Sequence, residues 1–291
     1  MEKRSERRSG CVRPEEPGYP SRILAFAKPL RPLYYLGDLS LAEQPSIAIV
    51  GSRSCTMYGK TVAQGLARRA AECGVVVVSG LARGIDTAAH TGAIKAGGST
   101  IAVLGNGTNV FYPAVNGPLQ REIGEKGLLL SEYPPGIGAN RFHFPERNRI
   151  ISSLADAVVI VEAGTRSGSL ITAECAEEQG KPVYAVPGNI TSPASLGTNK
   201  LIRDRAEPLL FFDDVLRDIG ADPALPEHRF PELGPEERRI LEVLQKNGET
   251  TTEDLRRHTQ LTPAEVSGLL SILEIKGLII CEMGKVMIAK F

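Results

Sequence analysis

The stretch from Phe144 to Glu174, FPERNRIISSLADAVVIVEAGTRSGSLITAE, decides the fold class and concentrates the chemistry of the chain. It predicts a helix that carries Arg147 and Arg149, then a fully apolar strand from Ala157 to Val161, and then a loop rich in glycine and serine that opens the next helix. In α/β folds, anions bind where a strand feeds the amino end of a helix. A phosphate-bearing ligand is therefore the first hypothesis.

Short apolar runs alternate with helix-compatible stretches on both sides of this segment. The runs lack polar alternation, so they predict strands that are buried on both faces, as in a parallel sheet covered by helices. Right-handed crossovers then place the strand-exit loops along one edge. The sequence predicts an α/β fold, a Rossmann-like, doubly wound and mostly parallel sheet over residues 46–222. Its rim would consist of glycine-containing loops at Gly51–Met57, Gly80–Asp86, Gly105–Tyr112, Tyr133–Phe144, Gly164–Ser169 and Pro187–Gly197.

The two ends of the chain differ in composition from this region. Residues 1–16 are expected to be disordered, and residues 17–45, which are Pro-rich and partly apolar, favour a lead-in segment packed on the main domain. Four prolines within 223–235 indicate a linker. Residues 236–291 carry three helical patterns and then a hairpin around Gly284, which predicts a small C-terminal winged-helix domain.

Composition and charge narrow the functional classes. The 34 basic and 34 acidic residues cancel, so a polyanion has to be met by a local patch. The five cysteines form no CxxC motif, and their odd number favours a reducing compartment over a disulfide framework. No metal-site spacing is present, and no apolar run approaches the roughly 18 residues of a membrane span. We expect a cytoplasmic protein without cofactor, metal or membrane contact.

The first strand-exit loop, VGSRSCTMYGKT, permits two interpretations. The tripeptide GKT at 59–61 matches the end of a nucleotide-triphosphate P-loop, but that motif needs a glycine where this chain has Ser54. A turn at Gly51–Arg53 fits better, because small residues let a phosphate approach the backbone and the arginine supplies charge-assisted hydrogen bonds. A plain tight turn with a solvated arginine is the alternative.

The second loop, SGLARGIDTAAH, offers a further cation, Arg83, next to Gly84. Asp86 is expected to cap the following helix. His90 lies four residues later on that helix, so a local side-chain pair with Asp86 is predicted rather than a catalytic dyad.

The segment GANRFHFPERNR interleaves three arginines, Arg141, Arg147 and Arg149, with two phenylalanines. Aromatic rings beside arginines on a Gly-rich loop are typical of single-stranded nucleic-acid binding, because bases stack on the ring while cations hold the backbone. Phe144 is favoured as the stacking ring. Core packing of one ring, with Phe142 as the stacking residue, is the alternative.

Eight segments, in chain order, together resemble the DNA-processing protein A family (DprA, also called Smf): GSR, SGLARGID, GNGTNVFYP, LLLSEYPPG, FPERNRII, SGSLITAE, VPGNI and GTNKLIR. The resemblance covers roughly residues 17–210, and the tail is similar to the winged-helix appendage of the family. It implies a homodimer that binds single-stranded DNA independently of sequence during natural transformation, protects it and loads the recombinase RecA. The implied DNA contacts are Gly51, Ser52, Arg53, Arg83, Gly84, Arg141, Phe144, Arg147, Asn148, Arg149, Ser167, Gly168, Ser169 and Lys200.

A nucleotide hydrolase is the strongest alternative, because Rossmann-like phosphoribohydrolases use a PGGxGTxxE loop. Aligning that pattern on the SGSL turn puts Thr172 where the catalytic glutamate would be, and Glu174 is displaced by two positions. Two residues rotate a helical side chain by about 200°. The sequence therefore favours a binding protein that is not an enzyme.

A third possibility is that the winged helix reads duplex DNA. Its predicted recognition helix, TPAEVSGLLSILEIKG, has Lys276 as its one basic residue and carries Glu265 and Glu274. Duplex readers use arginine and lysine on phosphates and base edges. A protein-contact module is the preferred interpretation.

Overall fold

The computed structural model of the chain describes residues 9–221, 233–276, 278–282 and 284–288. Contacts between residues divide the chain into two compact units, residues 1–224 and 225–291. The linker predicted at 223–235 lies outside the described residues as far as position 232.

A nine-stranded sheet forms the centre of the first unit. Its strands are β1 (Ser9–Val12), β2 (Leu33–Gly37), β3 (Ser46–Val50), β4 (Val76–Ser79), β5 (Thr100–Leu104), β6 (Leu128–Ser131), β7 (Ala157–Ile160), β8 (Val183–Ala185) and β9 (Glu207–Pro208). The spatial order is β1-β2-β6-β5-β4-β3-β7-β8-β9. Strands β3 to β9 pair in parallel, whereas β1 and β2 pair antiparallel with their neighbours. The predicted mostly parallel α/β sheet is confirmed.

Alternate residues of each central strand face opposite helical layers. In β3, Ile47 and Ile49 belong to one buried cluster, and Ala48 and Val50 belong to the other. A strand covered on both faces has no solvent side, which explains why its sequence shows no polar alternation. The helices are α1 (Ser21–Phe26), α2 (Met57–Glu72), α3 (Ile85–Lys95), α4 (Gly117–Lys126), α5 (His143–Leu154), α6 (Ser169–Glu178), α7 (Leu196–Asp204) and α8 (Phe212–Asp218).

The expectation of disorder through residue 16 is wrong for residues 9–16. Ser9–Val12 is a strand paired with Leu33–Leu36 of β2, and Val12 joins the buried core. Strand β2 pairs with β6 along one edge and with β1 along the other. The pairing with β1 therefore satisfies backbone groups of β2 that would otherwise be left open at the edge of the sheet. Residues 17–45 also do more than pack on the domain, because β2 belongs to the sheet itself.

The local pair predicted for His90 with Asp86 does not form. His90 is fully buried and its Nδ1 lies 2.7 Å from Thr100 Oγ1, which itself donates to the Val77 carbonyl at 2.6 Å. Because the threonine hydrogen is used on Val77, Nδ1 carries the proton and donates. Nε2 is buried without a hydrogen-bond partner. Burial and the positive charge of Arg147 lower the pKa of His90 from 6.5 to about 3.

We therefore expect His90 to make the fold acid-sensitive. As pH falls from 6.5 towards about 3, His90 binds a proton in the unfolded chain but not in the folded chain, so the folded state loses stability with falling pH. The free energy of unfolding should fall by up to about 1.4 kcal/mol per pH unit from this group. Urea titrations at several pH values between about 7 and 5 should give a steeper slope for the wild type than for His90→Gln. Equal slopes for the two proteins would contradict the conclusion that His90 makes the fold acid-sensitive.

The second unit is a winged helix, as predicted. It comprises α9 (Pro235–Asn247), β10 (Thr250–Thr251), α10 (Thr252–Thr259), α11 (Pro263–Ile275), β11 (Ile279–Glu282) and β12 (Lys285–Ile288), with β12 central in a three-stranded sheet. Ile240, Leu255 and Leu273 are fully buried where the three helices meet. In neither unit does a helix of the described residues have the length and apolarity needed to cross a membrane.

Candidate functional site

The candidate site lies at the carboxyl edge of the parallel strands, where the strand order reverses. From β3, successive strands β4, β5 and β6 extend to one side, and β7 and β8 extend to the other. Loops that leave neighbouring strands in opposite directions open a crevice at such a switch point. A cleft of about 520 Å³ lies here, lined by the loops after β3 and β7 and by the start of α5.

The Gly51–Arg53 turn forms one wall of the cleft. A Cβ on Gly51 would lie 2.7 Å from Ile85 Cγ1 and 2.9 Å from the Glu162 carbonyl oxygen, so only glycine fits between them. The backbone N–H of Ser52 donates to that same carbonyl at 2.7 Å. The segment that follows β7 thus holds the turn directly, and the Arg53 side chain is left exposed at the mouth of the cleft.

A buried carboxylate that the sequence interpretation missed fastens the end of the same loop. Glu162 accepts hydrogen bonds from the backbone N–H of Thr56 at 2.8 Å and from its hydroxyl at 2.5 Å. A Cβ on Gly59 would lie 2.4 Å from the Glu162 side chain. The lone acid that follows the apolar run AVVIV is the signal that could have identified it.

The second loop packs on the first through Gly84. Its φ of 79° is a conformation that favours glycine, and an added Cβ would lie 2.3 Å from the Ser52 carbonyl oxygen. The Ile85 N–H donates to that oxygen at 3.2 Å. Arg83 is exposed and lines an adjoining cavity of about 230 Å³, which shares Arg53 with the main cleft.

Aromatic rings separate the two cavities. Phe144 is half-buried and stacks on Tyr112, with ring centroids 5.4 Å apart and an interplanar angle of 25°. The Arg53 guanidinium carbon lies 5.2 Å from the Phe144 centroid, within cation–π range. Tyr112 is 44% exposed and lines both cavities, yet the sequence interpretation did not select it. Its place in the GNGTNVFYP loop was the available signal.

The other predicted ring, Phe142, stands outside this stack. It is 62% exposed, and the Arg141 guanidinium carbon lies 4.7 Å from its centroid. Arg141 lines the main cleft.

Arg147 lies in the floor of the cleft and is only 4% exposed. Its Nη1 donates to the carbonyl oxygens of Gly80, at 2.8 Å, and of Val103. A Cβ on Gly80 would lie 2.4 Å from the guanidinium, so glycine makes room for it. Burial lowers the pKa of Arg147 to about 10, while the negative charge of Asp86 opposes that shift. Arg147 is therefore charged at neutral pH, and it joins α5 to the loop after β4 and to strand β5.

The neighbours of Arg147 on α5 point in different directions. Asn148 lines the cleft and donates from Nδ2 to the Gly168 carbonyl at 3.1 Å, which ties α5 to the loop after β7. Arg149 is not among the residues that line the cleft. It donates to the Ala27 carbonyl at 2.7 Å and to Glu132 Oε1 at 2.5 Å, and so joins α5 to the lead-in segment.

The Ser167–Ser169 turn completes the cleft and begins α6. The two serine hydroxyls lie 2.8 Å apart, and all three residues line the cleft. The amino end of α6 brings a partial positive charge to this space. Its first two N–H groups, those of Ser169 and Leu170, donate to the Ser167 hydroxyl and carbonyl oxygens. Thr172 also lines the cleft, whereas Glu174 is exposed, 4.0 Å from Arg205. This placement matches the displacement of Glu174 inferred from the phosphoribohydrolase pattern.

One predicted DNA contact lies outside this geometry. Lys200 is exposed on α7 and does not line either cavity. Within the ranges that the structure describes, no group of three or more His, Cys, Asp or Glu side chains could hold a metal ion.

Comparison with known proteins defines the family. A family model described as DNA recombination-mediator protein A matches residues 10–220, and one described as the DprA winged helix domain matches residues 221–285. The chain therefore belongs to the DNA-processing protein A (DprA/Smf) family.

Individual relatives agree with this assignment. The chain is 41% identical over 261 residues to a putative DNA processing protein DprA of Mycobacterium tuberculosis, covering 87% of this chain and 67% of that protein. Its fold is similar to the solved structure of DprA from Streptococcus pneumoniae, with a TM-score of 0.69, 44% identity and coverage of 72% of this chain and 74% of the other. A Helicobacter pylori DNA processing protein A, solved for its single-stranded DNA binding mode, matches with a TM-score of 0.66, 30% identity and coverage of 74% and 96%.

Proposed function

We propose that this protein binds single-stranded DNA, without sequence preference, along the rim formed by the strand-exit loops. The observation that carries the proposal is the joint placement of an exposed cation and a stacked aromatic pair, Arg53 beside Phe144 and Tyr112, next to the amino end of α6. Proteins that bind single strands combine those two elements, since the cation holds the backbone and the ring stacks on a base of any identity. The single-stranded DNA binding mode named for the H. pylori relative supports the same conclusion.

The geometry suggests different roles for the proposed contacts. The Gly51–Arg53 turn and the Ser167–Ser169 turn, at which α6 begins, bring small residues and the partial positive charge of that helix end to one cleft, which suits a phosphate. Exposed Arg53, Arg83 and Arg141 supply positive charge along the rim. Arg147 and Arg149, which are held by carbonyl and carboxylate oxygens, would act on DNA through the shape and potential of the cleft.

Several finer assignments follow from family membership and belong to the same proposal. We propose a cytoplasmic homodimer that acts in DNA processing during natural transformation and loads RecA onto the bound strand, without enzymatic activity. In the winged helix, α11 carries Glu265 and Glu274 and no lysine or arginine, which supports contact with protein rather than with duplex DNA.

Binding should depend on salt and on Arg53. If three exposed arginines each neutralise one phosphate, log K should fall against log salt with a slope of about −2, taking about −0.7 per phosphate for single strands. Arg53→Ala should weaken binding about tenfold and make the slope less steep by about 0.7. Fluorescence anisotropy with a labelled oligothymidylate at several salt concentrations measures both quantities.

Arg121→Ala is the matched control, because Arg121 is also exposed, with its guanidinium carbon 4.6 Å from the Phe111 centroid, but it lines neither the cleft nor the adjoining cavity. It should leave affinity unchanged. A flat salt response, or equal losses for Arg53→Ala and Arg121→Ala, would refute the electrostatic rim. Tight binding confined to one duplex sequence would refute the proposed function.

Phe144 and Phe142 lie in different surroundings, which predict different effects of their replacement on binding. Phe144→Ala should cost about 1–3 kcal/mol of binding free energy, because the ring lies between both cavities and would stack on a base. Phe142→Ala should cost less, since that ring is not part of the Tyr112 stack and lines neither cavity. The same anisotropy assay, with melting curves of both variants, decides between them. A greater loss of affinity for Phe142→Ala would make Phe142 the stacking residue.

A further inference from the structure

A buried amide side chain ties three segments together behind the cleft. Asn116, which is 5% exposed, precedes α4, and its Nδ2 lies 2.9 Å from the Leu81 carbonyl oxygen, 3.4 Å from that of Ala82 and 2.9 Å from Thr87 Oγ1. Thr87 Oγ1 donates its own hydrogen to the Ala82 carbonyl at 2.7 Å. All three neighbours therefore act as acceptors, which identifies the Asn116 atom among them as the amide nitrogen.

The segment that Asn116 holds is the loop carrying Arg83, and this loop has an unusual backbone. Leu81 is buried with a φ of 57°, in the left-handed region that leucine rarely adopts, and Gly84 has a φ of 79°. Conformations of this kind persist only where surrounding contacts fix them. The Leu81 carbonyl, at the left-handed residue itself, is one of the acceptors that Asn116 binds.

The same loop bears on the Gly51–Arg53 turn. Ile85 N–H donates to the Ser52 carbonyl, and Gly84 lies so close to that oxygen that a Cβ would approach it to 2.3 Å. A shift of the Leu81–Gly84 backbone would therefore move Arg83 and remove the support under Ser52 and Arg53.

We propose that Asn116 is a positioning residue for DNA binding. It holds the Leu81–Gly84 loop so that Arg83 and Arg53 lie on one path for the strand. Asn116 lines neither the cleft nor the adjoining cavity, so its effect is transmitted through the loop. The inference rests on the proposed function, and its test has one part that uses no DNA.

The first part is hydrogen exchange of the full-length protein without DNA. Asn116→Ala removes the donor, and Asn116→Asp replaces it with an acceptor that faces two carbonyl oxygens. Both variants should accelerate exchange at the amides of Ala82 and Ile85, which donate to Asp86 and Ser52. The amides of Leu128–Ser131, in β6, should keep their wild-type rates. Unchanged exchange rates at Ala82 and Ile85 would contradict the proposal that Asn116 holds this loop.

The second part is a double-mutant cycle measured by anisotropy on labelled oligothymidylate. Asn116→Ala should weaken binding about tenfold in the wild type and less than about threefold in an Arg83→Ala background, because residues that act through one another are not additive. Asn116→Asp, which keeps the size of the side chain, should weaken binding at least as much as Asn116→Ala.

Ser46→Ala is the matched control. Ser46 is also buried and donates to a carbonyl, that of Leu154, but it lies at the start of β3, the opposite end of the strand from the cleft. It should lower the melting temperature without changing affinity. Full additivity of Asn116→Ala with Arg83→Ala, or a loss no greater than that of Ser46→Ala, would overturn the positioning role. If the wild type bound no single strands, the proposed function would fall and the exchange data would still decide whether Asn116 holds the loop.

Discussion

Replacing Arg147 with methionine should lower the free energy of unfolding by about 3–5 kcal/mol, since it removes the positive charge that opposes the cost of burying Asp86 and leaves that carboxyl group uncompensated in the interior. Asp86 is 5% exposed and faces the Arg147 charge, which opposes the upward shift that burial imposes on the pKa of Asp86. The Gly80 and Val103 carbonyls would lose their arginine donor as well. Urea unfolding followed by circular dichroism measures the change.

Two further variants separate the causes of that loss. Asp86→Asn combined with Arg147→Met should recover part of the stability, because the double variant no longer buries an unpaired charge. Arg53→Met should change stability by less than about 0.5 kcal/mol, since Arg53 is exposed. A loss below about 1 kcal/mol for Arg147→Met would show that the interior tolerates the change, and Arg147 would then be reconsidered as a direct DNA contact.

Gly84→Ala should be the most damaging change among the loop glycines, at about 3 kcal/mol. Its φ of 79° and ψ of −123° disfavour any side chain, and the new methyl group would meet the Ser52 carbonyl oxygen at 2.3 Å. Backbone cannot move aside as a flexible side chain can, so the two loops would have to separate. Single-strand affinity should fall with stability, because that separation displaces Arg53 and Arg83.

Gly74→Ala isolates the conformational part of this cost. Gly74 has a φ of 73°, and an added Cβ would have no heavy atom within 4 Å, so its loss should be about 1–2 kcal/mol. If Gly84→Ala proved no more destabilising than Gly74→Ala, the described close contact between Gly84 and the Ser52 carbonyl oxygen would be contradicted.

The parallel sheet could be predicted from sequence because its signal is local. Runs such as IAIV and VVVVS have no polar alternation, and burial on both faces is the direct reason. Strands β1 and β2 gave no such signal. The first has only Val12 buried, and the second lies among prolines, so each depends on a partner that is distant in sequence.

Side-chain environments were less accessible from the sequence. Arg147 was selected as a cation, but its burial depends on Asp86, Gly80 and Val103, which precede it by more than forty residues. His90 was assigned to Asp86 by helical spacing, whereas its partner Thr100 belongs to the neighbouring strand. The DNA contacts themselves, Lys200 and Arg149 included, stay predictions until binding is measured.

The early strands have a consequence for how the chain folds during synthesis. Strand β2 pairs with β6, whose residues leave the ribosome almost a hundred positions later, since Tyr34 is registered with Ser131. Until then the side of β2 that later pairs with β6 is open, and two-stranded ribbons of this size are marginal in water. Loop closure over such a separation is slow compared with hairpin formation. The open side of β2 thus exposes unpaired backbone groups, of the kind through which strands of different chains pair, until β6 has been made.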